Sequence, residues 1–153
     1  MAKISVIGGG SWGTALAQLL LDNGHEVLVR DNNQYNVDNI NNNKTIDVLD
    51  NIILHEKMRA TTSIKEAIDF GDFILTSVPT KVMRVALGEI VDVIRSPKTF
   101  INASKGIDHI TFKRVTQNDE EVITQEYLNG IVSTSWHSNA EVVVLSDLTT
   151  VWI

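Results

Sequence analysis

Short apolar runs alternate with amphipathic stretches from the start of the chain. Residues 4–7 form a β-branched run that ends at a glycine triplet, residues 8–10. Residues 11–21 follow with leucine and alanine at helical spacing, and an Asn-Gly pair ending at Gly24 supplies a helix stop. Because residues 26–30 are typical of a second strand, the opening thirty residues predict one βαβ unit with parallel strands.

The next segment is rich in asparagine. Seven of the twelve residues from 32 to 43 are Asn, with Val37 and Ile40 one helical turn apart, so we expect a poor, polar helix that frays into a loop. Farther along, Ser63 is placed to cap another helix, and Glu66 three residues later completes a capping box. Helices therefore continue to follow strands beyond the first unit.

The same alternation extends through the rest of the chain. Further strands are predicted at residues 58–61, 73–78, 99–103, 131–134 and 149–153. Further helices are predicted at residues 63–70, 82–94 and 111–127. The residues expected on the buried face of the helix at 82–94 are Val85, Leu87, Ile90, Val91 and Ile94. Nearly continuous apolar strands that alternate with helices predict a doubly wound α/β fold, with a mostly parallel sheet and helices on both faces.

The length of 153 residues is that of one domain, and the sequence shows no internal repeat. We therefore expect a single domain over residues 1–153. The last apolar run, residues 149–153, is followed by neither a cap nor a helix, and we interpret this as a truncation.

Composition and charge argue against several classes of function. With 13 Lys+Arg against 19 Asp+Glu, the net charge is -6, which is the wrong sign for nucleic-acid binding. The chain has no Cys, which excludes disulfides, Cys-based zinc sites and thiol nucleophiles, and its four His show no metal-binding spacing. The N-terminal apolar run is too short for a signal peptide or a membrane span, so we expect a cytoplasmic protein.

Residues 8–13, Gly-Gly-Gly-Ser-Trp-Gly, fit the pattern Gly-x-Gly-x-x-Gly between a predicted strand and a predicted helix. In that place Gly8 makes the tight turn, Gly10 lets a pyrophosphate approach the backbone, and Gly13 lets helix and strand pack closely. The N–H groups at the start of the helix would hold the pyrophosphate, so an acidic protein can bind a dinucleotide without a basic surface. The alternative is a glycine turn that serves only to reverse the chain.

Three further residues are candidates, each with an ordinary alternative. Asp31 follows the second strand about 20 residues after the glycines, where it would bind the adenosine ribose hydroxyls and favour NAD over NADP, or it is a solvated turn residue. Lys105 follows the strand at 99–103 and is placed to bind a phosphate or a substrate oxygen, or it is a surface lysine. Trp12 is a cofactor contact or a core residue beneath the glycine turn.

Together these features resemble bacterial NAD(P)-dependent glycerol-3-phosphate dehydrogenase, an enzyme with a Rossmann-like nucleotide-binding domain. The resemblance covers essentially the whole chain, but only the N-terminal, nucleotide-binding part of that family. The segments that carry it, in matching order and spacing, are residues 8–17, 23–27, 59–61, 77–80, 103–107 and 149–151.

The family reversibly transfers hydride between NAD(P)H and dihydroxyacetone phosphate, giving sn-glycerol 3-phosphate for phospholipid synthesis. The resemblance thus implies NAD or NADP as cofactor and these phosphates as substrates. It places Lys105 near nicotinamide and substrate, where its charge would stabilise the negative charge developing on the substrate oxygen. The residues expected at the cofactor are Gly8, Gly10, Ser11, Trp12, Gly13, Asp31, Val78, Pro79, Lys105 and Ala140. Those expected at the substrate are Lys105 and Ser138.

The chain departs from the family in two segments. Where the family reads Ser-Gly-Pro-Ser-x-Ala-Glu-Glu near the substrate, residues 135–142 read Ser-Trp-His-Ser-Asn-Ala-Glu-Val. Ser138 and Ala140 match, but Trp136 and His137 replace the Gly-Pro pair, and a tryptophan there would block the approach of substrate to the backbone. After the second strand the chain lacks the basic residue common in the family, which weakens the case for NADP.

The family's second, helical domain would lie beyond Ile153, with the lysine that donates and accepts the proton, so we expect this chain alone to be weak or inactive. Without that domain, the surface that it normally covers would be exposed. The chain would then either self-associate through this surface as a homodimer or stay monomeric. The alternative hypothesis is a non-catalytic dinucleotide-binding module with a degenerate substrate site. A third is another dehydrogenase of the same fold, acting on a 3-hydroxyacid or a sugar nucleotide.

Overall fold

The computed structural model describes residues 1–50, 52–96, 98–104, 142–146 and 149–151. Within these residues, strands and helices alternate as the apolar pattern predicts. The strands are β1 (Lys3–Ile7), β2 (Glu26–Arg30), β3 (Arg59–Thr61), β4 (Phe73–Thr76), β5 (Thr99–Asn102), β6 (Val142–Ser146) and β7 (Thr149–Val151). The α-helices are α1 (Ser11–Asp22), α2 (Gln34–Asp38), α3 (Ile64–Phe70) and α4 (Thr80–Val93), and a π-helical turn, Asn39–Asn43, follows α2.

The described strands form a sheet in the order β3-β2-β1-β4-β5-β6-β7. Every neighbouring pair is parallel except β6 and β7, which are antiparallel. Ile4 lies opposite Val27 of β2 on one side and Phe73 of β4 on the other, so the chain order reverses at β1. In open α/β sheets, ligands bind beyond the carboxyl ends of the strands at such a reversal. The prediction of a doubly wound, mostly parallel sheet is confirmed.

A hydrophobic core lies on each face of the sheet. The first contains Ile4 and Val6 of β1 together with residues of α1 and α2. The second contains Ile7 of β1 together with residues of α3 and α4. Ser5 is buried on this second face, and its hydroxyl is satisfied because it donates a hydrogen bond of 2.6 Å to the carbonyl of Ala67. Helices therefore cover both faces, as predicted.

The sequence predicts a stop signal at the end of α1 and a capping box at the start of α3, and the structure tests both. Gly24, which follows α1, has a φ of 82°. Its N–H donates to the carbonyl of Leu21, and the N–H of His25 donates to the carbonyl of Leu20. These two hydrogen bonds form a Schellman motif. At α3, Ser63 Oγ accepts the N–H of Glu66 as the capping box requires. The Glu66 carboxylate, however, does not accept the N–H of Ser63.

Thr61 completes the cap of α3 instead. Its hydroxyl accepts a 3.0 Å hydrogen bond from the N–H of Ser63 and donates a 2.5 Å hydrogen bond to the carboxylate of Glu66. The capping box is thus closed through a threonine at the end of β3, which ties the helix start to the sheet.

The asparagine-rich segment covers the outer edge of β3. Val37 and Ile40 are buried, on α2 and the π-helical turn. The Asn41 side chain accepts the N–H of Ala60 at 2.8 Å and donates to its carbonyl at 2.9 Å, as a neighbouring strand would. These bonds satisfy the backbone of a strand that would otherwise be an open edge.

Helix α4 corrects several details of its prediction, since it ends at Val93 rather than at residue 94 and Val91 is half-buried rather than buried. It begins at Thr80 rather than at residue 82, and Val85, expected on the buried face, is 65% exposed. Residues two apart on a helix point about 200° apart, so Val85 lies opposite the face that Met83 and Leu87 share. The buried residues of the helix are Met83, Ala86, Leu87 and Ile90.

The remaining strand and helix predictions have mixed outcomes. Strands β3, β4 and β5 are one or two residues shorter than predicted. Strand β6, Val142–Ser146, is not among the predicted strands, although Val-Val-Val-Leu-Ser is a β-branched apolar run. The predicted helix at 111–127 and strand at 131–134 lie outside the described residues. Within the described part of the chain, no helix is long and apolar enough to cross a bilayer.

Candidate functional site

The glycine turn lies between β1 and α1, at the reversal point of the sheet. Gly8 has a φ of 114°, and a Cβ there would overlap the carbonyl of Ser77. A Cβ on Gly13 would overlap the carbonyl of Gly8. These two glycines are thus required by the tight turn and by the close packing of helix on strand, the two roles expected of them.

Gly10 differs from these neighbours. Its φ of -71° and ψ of -178° are extended values that any residue adopts. A Cβ built on it would meet no heavy atom of the described residues within 4 Å, its two chain neighbours aside. Neither the backbone nor the packing of the described chain therefore accounts for glycine at this position. The open space lies at the N-terminus of α1, where a ligand could approach the backbone.

The start of α1 suits an anionic ligand. Gly10 is its N-cap, no side chain caps it, and its first turn carries no acidic residue. No acidic residue of the first turn neutralises the positive end of the helix dipole, so an anionic ligand can do so. Thr14 braces the turn from within the core, because its N–H bonds the carbonyl of Gly10 at 2.9 Å and its hydroxyl that of Gly9 at 3.2 Å.

The first two residues of α1 face outward. Ser11 is exposed, and Trp12 is 50% exposed. The interpretation of Trp12 as a core residue beneath the glycine turn is therefore wrong, because half of the side chain lies on the surface. Both side chains follow Gly10 directly, at the position where the resemblance expects cofactor contacts.

Asp31 lies at the carboxyl end of β2, next to the glycine turn. It is only 7% exposed, so the interpretation as a solvated turn residue is wrong. One carboxylate oxygen accepts the N–H of Asn33 at 2.8 Å, and the other accepts the side-chain amide of Asn36 at 3.2 Å. A carboxylate accepts about four hydrogen bonds, so this one retains acceptor sites for a further donor.

The loops after β4 and β5 form the other side of the site. Val78 is half-buried, and Pro79 is exposed at the start of α4. Ser104, which the sequence analysis does not single out, accepts the N–H of Val78 at 3.1 Å. Its own N–H bonds the side chain of Asn102 at 2.7 Å. The two loops are thus joined through one hydroxyl.

Three predicted site residues lie outside the described part of the chain: Lys105, Ser138 and Ala140. The others are gathered at one edge of the sheet, around the glycine turn. Together the strand order, the uncapped helix start and the buried acidic residue after β2 define a dinucleotide-binding domain of the Rossmann type.

Sequence comparison gives the family. Residues 3–153 match the family described as "NAD-dependent glycerol-3-phosphate dehydrogenase N-terminus". The glycerol-3-phosphate dehydrogenase [NAD(P)+] of Acholeplasma laidlawii is 48% identical over 147 residues, which are 96% of this chain and 44% of the relative. The chain belongs to this family of N-terminal dehydrogenase domains, and it spans less than half the length of that relative.

Solved structures agree on the fold. The glycerol-3-phosphate dehydrogenase of Coxiella burnetii superimposes with a TM-score of 0.73 at 22% identity, covering 94% of this chain and 40% of that one. A UDP-glucose dehydrogenase from Pyrobaculum islandicum gives a TM-score of 0.70 at 18% identity, covering 94% of this chain and 35% of that one. At such identities the likeness shows the shared fold alone, and the family assignment rests on sequence.

Proposed function

We propose that this chain binds NAD or NADP for the glycerol-3-phosphate dehydrogenase reaction, the reversible reduction of dihydroxyacetone phosphate to sn-glycerol 3-phosphate. The family assignment supports the reaction, because relatives bearing that name match over nearly the whole chain. A cytoplasmic location and a homodimer stay predictions.

The open space beside Gly10 is the observation that carries the binding proposal. Neither the φ angle nor the packing requires glycine there. Gly8, by contrast, is required by its positive φ and by packing, and Gly13 is required by packing. A dinucleotide pyrophosphate is the ligand that needs close approach to the backbone at this position of a βαβ unit. The absence of a side-chain cap on α1 supports the same ligand, because the helix dipole then has no acidic partner of its own.

The remaining described residues suit the other parts of the dinucleotide. The acceptor sites left on Asp31 would receive the adenosine ribose hydroxyls, and its charge would repel a 2′-phosphate. This arrangement favours NAD over NADP. Val78 and Pro79 would line the nicotinamide end, with Ser11 and Trp12 beside the pyrophosphate. When bound, the nicotinamide ring supplies the hydride acceptor and donor chemistry.

Three roles rest on the resemblance alone. Lys105 is proposed near nicotinamide and substrate, where its ammonium group would orient the phosphate or stabilise charge on the reacting oxygen. Ser138 is proposed as a substrate contact, and Ala140 as a cofactor contact. Each role can be tested by substituting the residue in an active enzyme and measuring its activity.

A chimera tests the proposed activity. In it, this chain replaces the matching 147 residues of the Acholeplasma laidlawii enzyme. We expect the chimera to oxidise NADH when dihydroxyacetone phosphate is added. The assay measures the loss of NADH absorbance. The Lys105→Ala variant of the same chimera should bind NADH less tightly and turn over more slowly. A chimera that folds and binds neither dinucleotide would contradict the proposal.

A non-catalytic dinucleotide-binding module is the second candidate, favoured by the Trp136 and His137 pair in the substrate segment. The same chimera separates the two candidates. A module would bind NADH without turnover, and the double change Trp136→Gly and His137→Pro would restore activity. If the unaltered chimera is already active, the second candidate is excluded.

A further inference from the structure

Gly9, the variable position of the glycine pattern, lies against the carboxylate of Asp31. A Cβ built on Gly9 would lie 2.5 Å from Asp31 Oδ2, 2.9 Å from its Cβ and 3.1 Å from its Cγ. The three nearest atoms thus all belong to one side chain. Carbon and oxygen atoms do not approach so closely without bonding, so a side chain at position 9 and Asp31 in its present position exclude each other.

Among the described residues, steric contact with Asp31 accounts for glycine at position 9. Gly9 is not among the residues with positive φ, which are Gly8, Gly24 and Lys44 among those described. Alanine would therefore suit its backbone. The contrast with Gly10 is direct, because a Cβ on Gly10 would meet no atom within 4 Å from the rest of the described chain.

The position that Gly9 leaves open is the one in which the carboxylate is held. There, Oδ1 accepts the N–H of Asn33 and Oδ2 accepts the amide of Asn36. Displacement of the carboxylate by a methyl group would disturb the second bond first, since Oδ2 is the atom closest to position 9. Charge-assisted hydrogen bonds depend strongly on geometry, so a shift of the carboxylate also weakens its bonds to a ligand.

We propose that Gly9 determines cofactor specificity without touching the cofactor, as a positioning residue that keeps the Asp31 carboxylate against the glycine turn. The inference rests on the proposed binding of NAD at this site and deepens it. With alanine at position 9, the carboxylate moves away from the place of the ribose hydroxyls. NADH then loses a hydrogen-bond acceptor, and NADPH loses a repulsive neighbour.

A double-mutant cycle read by binding tests the proposal. The proteins are the unmodified chain, Gly9→Ala, Asp31→Gly and the double variant, each titrated calorimetrically with NADH and NADPH. The readout is the ratio of the Kd for NADPH to the Kd for NADH. Asp31→Gly is the right partner because it removes all three atoms that the new Cβ would meet.

We expect Gly9→Ala to lower this ratio about tenfold, close to the effect of Asp31→Gly, because one displaced charge-assisted bond has that magnitude. In the Asp31→Gly background, Gly9→Ala should change neither Kd. This comparison can contradict the proposal even if Gly9→Ala alone does not fold, because the double variant contains no clash. A fall in NADH affinity on adding Gly9→Ala to Asp31→Gly would overturn the proposal.

The outcomes separate this inference from the function on which it rests. If the unmodified chain binds neither dinucleotide, the proposed function is wrong and the inference falls with it. If the chain binds NADH and Gly9→Ala keeps the original ratio, the inference alone is wrong. Thermal unfolding of each variant confirms that the compared proteins are folded.

Discussion

Ser104 Oγ accepts a hydrogen bond of 3.1 Å from the backbone N–H of Val78, joining the loop after β5 to the loop after β4. The serine is itself oriented by Asn102, whose side chain accepts the N–H of Ser104 at 2.7 Å. Val78 directly precedes Pro79, the N-cap of α4. The hydroxyl therefore sets the backbone of the segment proposed to line the nicotinamide.

This bond predicts an effect limited to one end of the dinucleotide. Ser104→Ala should weaken NADH binding about fivefold, the value of one hydrogen bond of about 1 kcal/mol. ADP-ribose, which lacks nicotinamide, should bind as before, and Ser104→Thr should keep the NADH affinity. Calorimetric titration with both ligands measures the difference. Equal weakening of the two ligands would show that Ser104 does not act through the nicotinamide segment.

The packing glycine of α1 predicts a loss of stability. Gly13→Ala would place a Cβ on the carbonyl of Gly8, and backbone atoms cannot move aside as a side chain can. Overpacking of this kind should lower the free energy of unfolding by about 3 kcal/mol. Urea unfolding measures this change. Gly88→Ala is the matched control, since its Cβ would meet no atom within 4 Å from the described residues outside its own helix backbone. Unchanged stability in Gly13→Ala would disprove the packing argument.

The ion pair between Arg30 and Glu89 links the end of β2 to α4 at 2.8 Å. Arg30 Nε is buried and has no hydrogen-bond partner among the described residues, so within that part of the chain the guanidinium depends on Glu89. Glu89→Gln should therefore lower the free energy of unfolding by about 1 kcal/mol. The exposed pair of Lys65 and Asp69 is the control, and Asp69→Asn should change stability by less than about 0.5 kcal/mol. Equal effects in chemical unfolding would contradict the prediction.

The parts of the fold that were predictable from sequence are those set by local patterns. The β1-α1-β2 unit depends on apolar periodicity, a glycine turn and an Asn-Gly stop, all within thirty residues, and each is found where expected. The buried face of α4 was predicted less well, because more than one set of apolar residues in this helix has helical spacing. Packing against the sheet decides which set is buried, and here it buries Met83 and exposes Val85.

The site shows the same division. The glycine positions follow from motif and placement, whereas the close approach of the Asp31 side chain to Gly9, 22 positions earlier in the numbering, is a tertiary contact. The bond between Ser104 and Val78 spans 26 residues and connects two strands through a side chain, which no local pattern encodes. The closure of the α3 cap through Thr61 likewise requires β3 and α3 to be in place.

We expect the space beside Gly10 to receive the pyrophosphate of a dinucleotide. The most direct measurement compares NADH binding and thermal unfolding of the unmodified chain and Gly10→Ala. The account predicts saturable binding by the unmodified chain, at least tenfold weaker binding by Gly10→Ala, and stabilities equal within about 1 kcal/mol. Equally tight binding by Gly10→Ala, or no binding by the unmodified chain, would contradict it.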